Sequence, residues 1–212
     1  MKSLIYLICI FMIGCGGKKE SKENLIKDTS MVANATSSEK SDTLWVDKLN
    51  SNIQWIGRKV VGEHSGRIQA AGGFIVLGDG KLNSGEILIN MQSITVDDIE
   101  NPKWNQKLVD HLKNDDFFNS EKYPTAKFIF SEFKGEGVDT HVKGNMTIRN
   151  KTVPLNFLLN TFVDDDSSYA SGSINIDRSL FGVKYGSGSF FKGLGDDMIM
   201  DDFTLNFKLI AR

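Results

Sequence analysis

The side chains able to do chemistry are few and scattered. Three histidines occur, His64, His111 and His141. Metal-binding histidines recur at short fixed spacings, and these three stand in separate stretches of the chain. The acidic runs Asp164-Asp165-Asp166, Asp196-Asp197 and Asp201-Asp202 lack the ligand spacing of a calcium loop, so they read as solvated turns. No G-x-S-x-G, H-E-x-x-H or phosphate-binding glycine loop is present. No catalytic residue, metal site or cofactor is therefore expected. Asp177-Arg178 stands at the end of a strand pattern, just before a Gly-rich stretch. Buried there, the pair would fix the following loop, or it would hold a ligand's polar head group; the structural role is favoured.

The two cysteines lie at the amino end. Lys2, the apolar run Leu4 to Ile13 and the small residue Gly14 make a secretory signal, too short to span a bilayer as a stable helix. Met12-Ile13-Gly14-Cys15 resembles a bacterial lipobox, in which the cysteine is lipidated and becomes the first mature residue. Residues 1–14 are thus expected to be removed, Cys9 with them. No thiol remains beyond Cys15 for a disulfide or a nucleophile. Residues 15–42 read as a lipidated cysteine followed by a polar tether. Its 27 residues after Cys15 carry too little apolar surface to fold and reach about 30 Å by the random-coil rule. The expected place is the cell envelope, with the chain exported and held at a periplasmic face or outer membrane.

Residues 43–212 are expected to form one domain. The formal net charge of −2 and the lack of a basic stripe argue against nucleic acid. Asn101 is a helix cap and Pro102 suits the first helical position. Trp104, Leu108 and Leu112 form the apolar stripe of a helix ending near Asn114. Phe117 and Phe118 follow in a turn, and Tyr123-Pro124 sets the chain extended. Elsewhere apolar and polar residues alternate with the strand period. The strands are separated by turns at Gly78-Asp79-Gly80, Gly135 to Asp139, Asn150-Lys151 and Asp164 to Ser168. Lys48 to Ser51 interrupt the first strand region, and residues 178–197 are a Gly-rich insertion. Small residues Ala70 to Gly73 mark a bend or a close approach to the backbone.

About eight strands with one apolar face and one helix cannot cover that face as an open sheet. Closing the sheet covers it and removes the edges. The expected fold is mainly β: an eight-stranded antiparallel barrel with one helix between strands three and four. Such a barrel is filled by side chains or holds one small ligand.

The chain resembles the YceI-like, polyisoprenoid-binding family. The stretches that carry this are His111-Leu112-Lys113, Asp116-Phe117-Phe118, Tyr123-Pro124, Gly144 to Ile148, Asp177-Arg178 and Phe181-Gly182. Trp45 to Asp47, Gly62 to Gly66 and Gly72 to Phe74 also fit. The resemblance covers about residues 44–211 and implies a lipocalin-like barrel with an apolar tunnel for a long isoprenoid chain.

The residues themselves suit such a ligand. Phe74, Ile89, Phe128, Phe130, Met146, Ile148, Phe157, Ile174 and Phe207 fall on the inward face, together with Phe203 and Leu205. Phe117, Phe118 and Phe181 lie in adjoining loops. Gly144 is read as leaving volume for the ligand, as are Ala70, Gly72 and Gly172, so that Gly144→Leu would block binding without harming the fold. The exposed pairs Phe117-Phe118 and Phe190-Phe191 would gate a mouth, meet a membrane or fold back onto the core. The expected function is binding and sequestration or transport of a polyisoprenoid, an isoprenoid quinone or a similar lipid. The alternative is a barrel with a full core that serves as a structural or protein-interaction module. A homodimer is left open.

Overall fold

A computed structural model describes residues 41–164 and 168–212. The expected signal, Cys15, the expected tether to residue 40 and residues 165–167 lie outside the described residues. Nine strands form one antiparallel sheet: β1 Ser41–Trp45, β2 Asn52–Lys59, β3 Gly62–Gly78, β4 Lys81–Asn90, β5 Thr125–Lys134, β6 Thr140–Ile148, β7 Lys151–Val163, β8 Ser168–Asp177 and β9 Ile199–Ala211. Helix α1, Pro102–Lys113, separates β4 from β5.

The sheet closes. Neighbours run from β3 through β2, β9, β8, β7, β6 and β5 to β4, and β4 pairs back onto β3. β1 shares a position with β2. It pairs with the far half of β3, Trp45 opposite Phe74, and Val46 bridges to Ala211 at the end of β9. The break between them is a local turn. Asp47 accepts hydrogen bonds from the Leu49 and Asn50 amides at 3.1 Å each and from the Asn50 side chain at 2.8 Å. Eight positions around the barrel result, as the alternation predicts. The ladder between β7 and β8 is short, from Asn160 opposite Ser171 to Val163 opposite Ser168.

β3 carries a bulge. Its register to β4 slips by one between Ala70 and Gly72, so that Ala71 is the extra residue and the side chains beyond it change face. Gly73 has φ +136°, and a Cβ there would lie 2.2 Å from the Glu86 carbonyl oxygen. The approach expected at this stretch is thus that of the β4 backbone. The turn after β6 also differs from expectation. Arg149 and Asn150 both have positive φ, 52° and 60°, which makes them the two residues of a type I′ hairpin, and Lys151 already belongs to β7.

Asn101 caps α1 by accepting from the Lys103 and Trp104 amides at 3.0 and 3.2 Å. The helix buries Val109 and Leu112, while Trp104 is 56% exposed. The stripe is therefore rotated from the expected one, and the Lys107 ammonium covers the Trp104 ring at 5.1 Å. The segment before the helix runs along the free edge of β3. The Thr95 amide donates to the Arg67 carbonyl at 2.9 Å and the Asp97 amide to Ser65 at 2.8 Å. The Asn105 side chain then holds the helix to this segment through the carbonyls of Val96 and Ile99, at 2.8 and 3.0 Å.

One continuous core fills the interior from Val46 and Ile53 to Leu205. A closed ladder around its own core is the arrangement that lets a domain fold alone. The two ends of the barrel differ. Helix α1, the β2–β3 hairpin and the 178–198 loop gather at one end. Ser41 enters at the other, opposite Gly78 at the far end of β3.

Candidate functional site

The helix end of the barrel contains a chamber of about 130 Å³. Its apolar wall comes from six of the strands: Trp55 on β2, Ile68 on β3, Ile89 on β4, Ala126 on β5, Met146 and Ile148 on β6, Phe203 and Leu205 on β9. Leu108 and Leu112 of α1, with Phe117 and Phe118 after it, cover the top. The polar groups in contact with it, among them Arg58, Lys59, His64, His111 and Asp202, sit at the ends of β2, β3 and β9 and on α1, where the chamber meets solvent. An engineered apolar cavity of about 150 Å³ stays dry and takes up benzene. This chamber is of that class, with an open mouth added.

The aromatic turn closes back onto the barrel. Phe117 is buried and meets Phe118 edge-on, centroids 5.2 Å apart, and Phe118 meets Phe203 at 6.2 Å. Arg149 donates to the Phe117 carbonyl at 2.6 Å, so the β6–β7 turn holds the plug in place. Phe190 and Phe191 instead remain about half exposed, at 46% and 50%.

The inward residues singled out from sequence divide into groups. Ile89, Phe117, Phe118, Met146 and Ile148 line the chamber. Phe128, Phe157 and Phe207 lie one rung deeper, with ring centroids 5.5 Å apart for Phe128–Phe157 and 6.4 Å for Phe157–Phe207. Phe130 lies beyond them and borders a second cavity of about 30 Å³. Ile174 and Phe181 are buried in the core. Phe74 is not inside. The bulge turns it outward, where it packs edge-on against Trp45, which is 65% exposed, and Ile75 takes the inward place. Gly144 leaves no free volume either. A Cβ there would sit 2.3 Å from the tip of the Phe128 ring and 2.5 Å from the Ile129 carbonyl oxygen. Gly144→Leu would therefore damage the fold, contrary to the sequence expectation. Gly172 is likewise occupied, with Phe207 at 3.3 Å.

Trp55, Ile68, Met91 and Ile94 are wall residues that the sequence reading did not single out. Gly66 was the available signal. A Cβ there would overlap the Thr95 carbonyl at 1.9 Å, so only glycine lets the crossing segment approach, and the Trp55 indole then donates to that carbonyl at 2.9 Å.

Arg178 is 2% exposed and its partner is not Asp177. Its guanidinium donates to the carbonyls of Met200 at 3.1 Å, Val183 at 3.0 Å, Tyr185 at 2.9 Å and Ile199 at 3.0 Å. Nη2 also faces Asp201 at 3.6 Å, and Asp177 caps the Ser179 amide at 2.8 Å. Four of its five N–H donors are thus spent on backbone carbonyls, and the remaining one is on Nη2, the nitrogen that faces Asp201. It is a clamp between the loop and β9. Burial pushes the guanidinium's pKa down, offset by Asp201 and Asp177.

The mouth carries two histidines. His64 Nδ1 lies 2.7 Å from Asp98. Burial raises the Asp98 carboxyl, but hydrogen bonds from the Ser65 amide and His64 outweigh it and hold it low. His111 meets Tyr185 and Phe117 edge-on at 4.5 and 5.6 Å. Among the described residues, no three metal-ligating groups cluster.

Burial lowers the pKa of His111, Lys59 and Lys107 add to this, and Asp116 opposes it. The unfolded chain then binds a proton at higher pH than the folded one. The His111 contribution is complete above about pH 6.5 and is lost as pH falls from there through the lower folded value. We expect His111→Phe to flatten the acid-side fall in stability between about pH 6.5 and 5, read by urea unfolding across that range. Asp98 and Asp201, whose values are lowered, act only below about pH 4. An unchanged slope in the variant would clear His111 of this role.

Comparison with known proteins agrees with this geometry. The sequence model of the YceI-like domain matches residues 45–211. A UPF0312 protein of Shewanella denitrificans is 27% identical over 131 residues, covering 58% of this chain and 63% of that protein. One from Photorhabdus laumondii is 47% identical over 45 residues, covering 21% and 23%. The chain thus spans less than two thirds of these relatives' own length. Among solved structures, Burkholderia cenocepacia BcnA superposes with a TM-score of 0.62 at 21% identity, covering 79% of this chain and 99% of that one. A polyisoprenoid binding domain from Saccharophagus degradans, implicated in plant cell wall breakdown, gives 0.58 at 12% identity, covering 82% and 99%. Both share the fold. Because the domain match takes in nearly the whole barrel and its apolar chamber, the chain belongs to the YceI-like family.

Proposed function

We propose that the barrel binds the end of a long apolar chain, a polyisoprenoid or isoprenoid quinone, and sequesters or carries it without chemical change. The observation that carries this is the chamber itself: an apolar, ring-sized void with an open mouth, in a barrel whose other half has a much smaller cavity of about 30 Å³. About 0.8 kcal/mol per buried methylene favours an alkyl or prenyl end there. The binding named for the Saccharophagus domain supports the isoprenoid class. The enclosed volume takes roughly one branched five-carbon unit, so the rest of the chain leaves through the mouth. Mass spectrometry of residues 41–212, purified without detergent and extracted with organic solvent, tests this. A stoichiometric prenyl lipid or quinone is expected. A protein that stays empty after incubation with quinones and fatty acids would favour the protein-interaction barrel.

The same reading includes export and lipidation at Cys15, supported by the lipobox-like Met12 to Cys15. The expected result is a diacylglyceryl thioether on Cys15 in the amino-terminal peptide of protein extracted from membranes. A free thiol there would refute it.

A further inference from the structure

We propose that Phe128, Phe157 and Phe207 form a floor that stops the chain end and so sets which chain lengths bind best. This rests on the apolar-chain reading and gives it a size limit. On three strands one step from the chamber wall leads to the level of the floor. On β5 it goes from Ala126 to Phe128, on β6 from Met146 to Gly144, on β9 from Leu205 to Phe207. The wall residues line the chamber and the next residues do not.

The glycines explain how three rings fit at one level. Gly144 faces the Phe128 ring tip so closely that any side chain there would displace it. Gly172, paired with Phe207 across β8 and β9, gives the Phe207 ring its place. Phe157 spans the two, tilted against Phe128 at an interplanar angle of 52° and edge-on to Phe207 at 85°. Tilted and edge-on rings interlock and leave little room between them. Below the floor the interior opens again, into the cavity of about 30 Å³ bordered by Phe130, Phe133, Ile87, Leu159 and Leu209. The rings thus stand between two voids, with buried Ile53 of β2 opposite Phe207 at the same level.

A floor at fixed depth predicts a length profile. Affinity rises with each added unit until the chain end reaches the rings, and further units stay outside. Each methylene that gains burial is worth about fourfold. Residues 41–212 would be titrated with the one-unit alcohol 3-methylbut-2-en-1-ol, geraniol, farnesol and geranylgeraniol by native mass spectrometry, for wild type and for Phe157→Ala. Wild type is expected to level off along the series. The variant is expected to level off at least one isoprene unit later and to hold the longest prenol about tenfold more tightly or better. Phe157→Leu and Phe207→Leu remove less volume and keep the test open where the alanine variant fails to fold, with the same direction of shift expected. Identical length profiles in wild type and all folded variants would overturn the floor alone. Failure of wild type to bind any of the prenols would overturn the apolar-chain reading beneath it.

Discussion

Replacing Ala126 with leucine is expected to weaken binding of an apolar chain about 50-fold while leaving the barrel folded. Ala126 is buried on β5 opposite Ile89, and both line the chamber. Leucine adds three carbons to that wall and takes the place of three ligand carbons. At about 0.8 kcal/mol each this is about 2.4 kcal/mol, and 1.4 kcal/mol is a factor of ten. Stability should hold or rise by about 0.5–2 kcal/mol, as for other cavity-filling changes. Ligand titration and thermal unfolding of the same preparation read the two effects separately. Unchanged affinity would place the ligand elsewhere.

Arg178→Met is expected to destabilise the barrel by about 3–5 kcal/mol. The side chain is buried, and its loss strands the carbonyls of Val183, Tyr185, Ile199 and Met200 together with the nearby Asp201 carboxylate. Breaking a buried charged group away from its partners costs this much because the partners stay desolvated. For a domain of this size, about 2–4 °C is lost per kcal/mol, so the midpoint should fall by about 6–20 °C. Arg178→Lys should rescue little. An ammonium is a point donor and cannot reach the loop and β9 as a planar fork does. A midpoint unmoved in Arg178→Met, with ligand lost, would return this residue to the head group.

The barrel was legible because each strand's inward residues recur with period two, from Val142 to Ile148 on β6 and from Val153 to Leu159 on β7. Helix α1 was legible at its ends, where Asn101 and Pro102 state the cap in sequence. Its buried face was misjudged by treating Trp104 as apolar rather than as a ring that an exposed lysine can cover. Phe74 was misplaced because period-two counting holds only while the register holds, and the Ala71 bulge adds one residue. Ala70 to Gly73 signalled a bend without saying that the phase would change. Gly144 was misread for a different reason. A missing side chain says that something approaches, and only the fold shows whether that is a ligand or the Phe128 ring. Hollow and packed levels also read alike, since Met146 and Phe128 sit on the same kind of face.

The entry of Ser41 at the end opposite the mouth fixes a polarity. From Gly78 to Gly62 along β3, at about 3.3 Å per residue and with a strand tilt near 40°, the barrel is roughly 40 Å long. Ser41 and the mouth therefore stand about one barrel length apart, so that a label placed at Ser41 leaves the opening of the chamber clear.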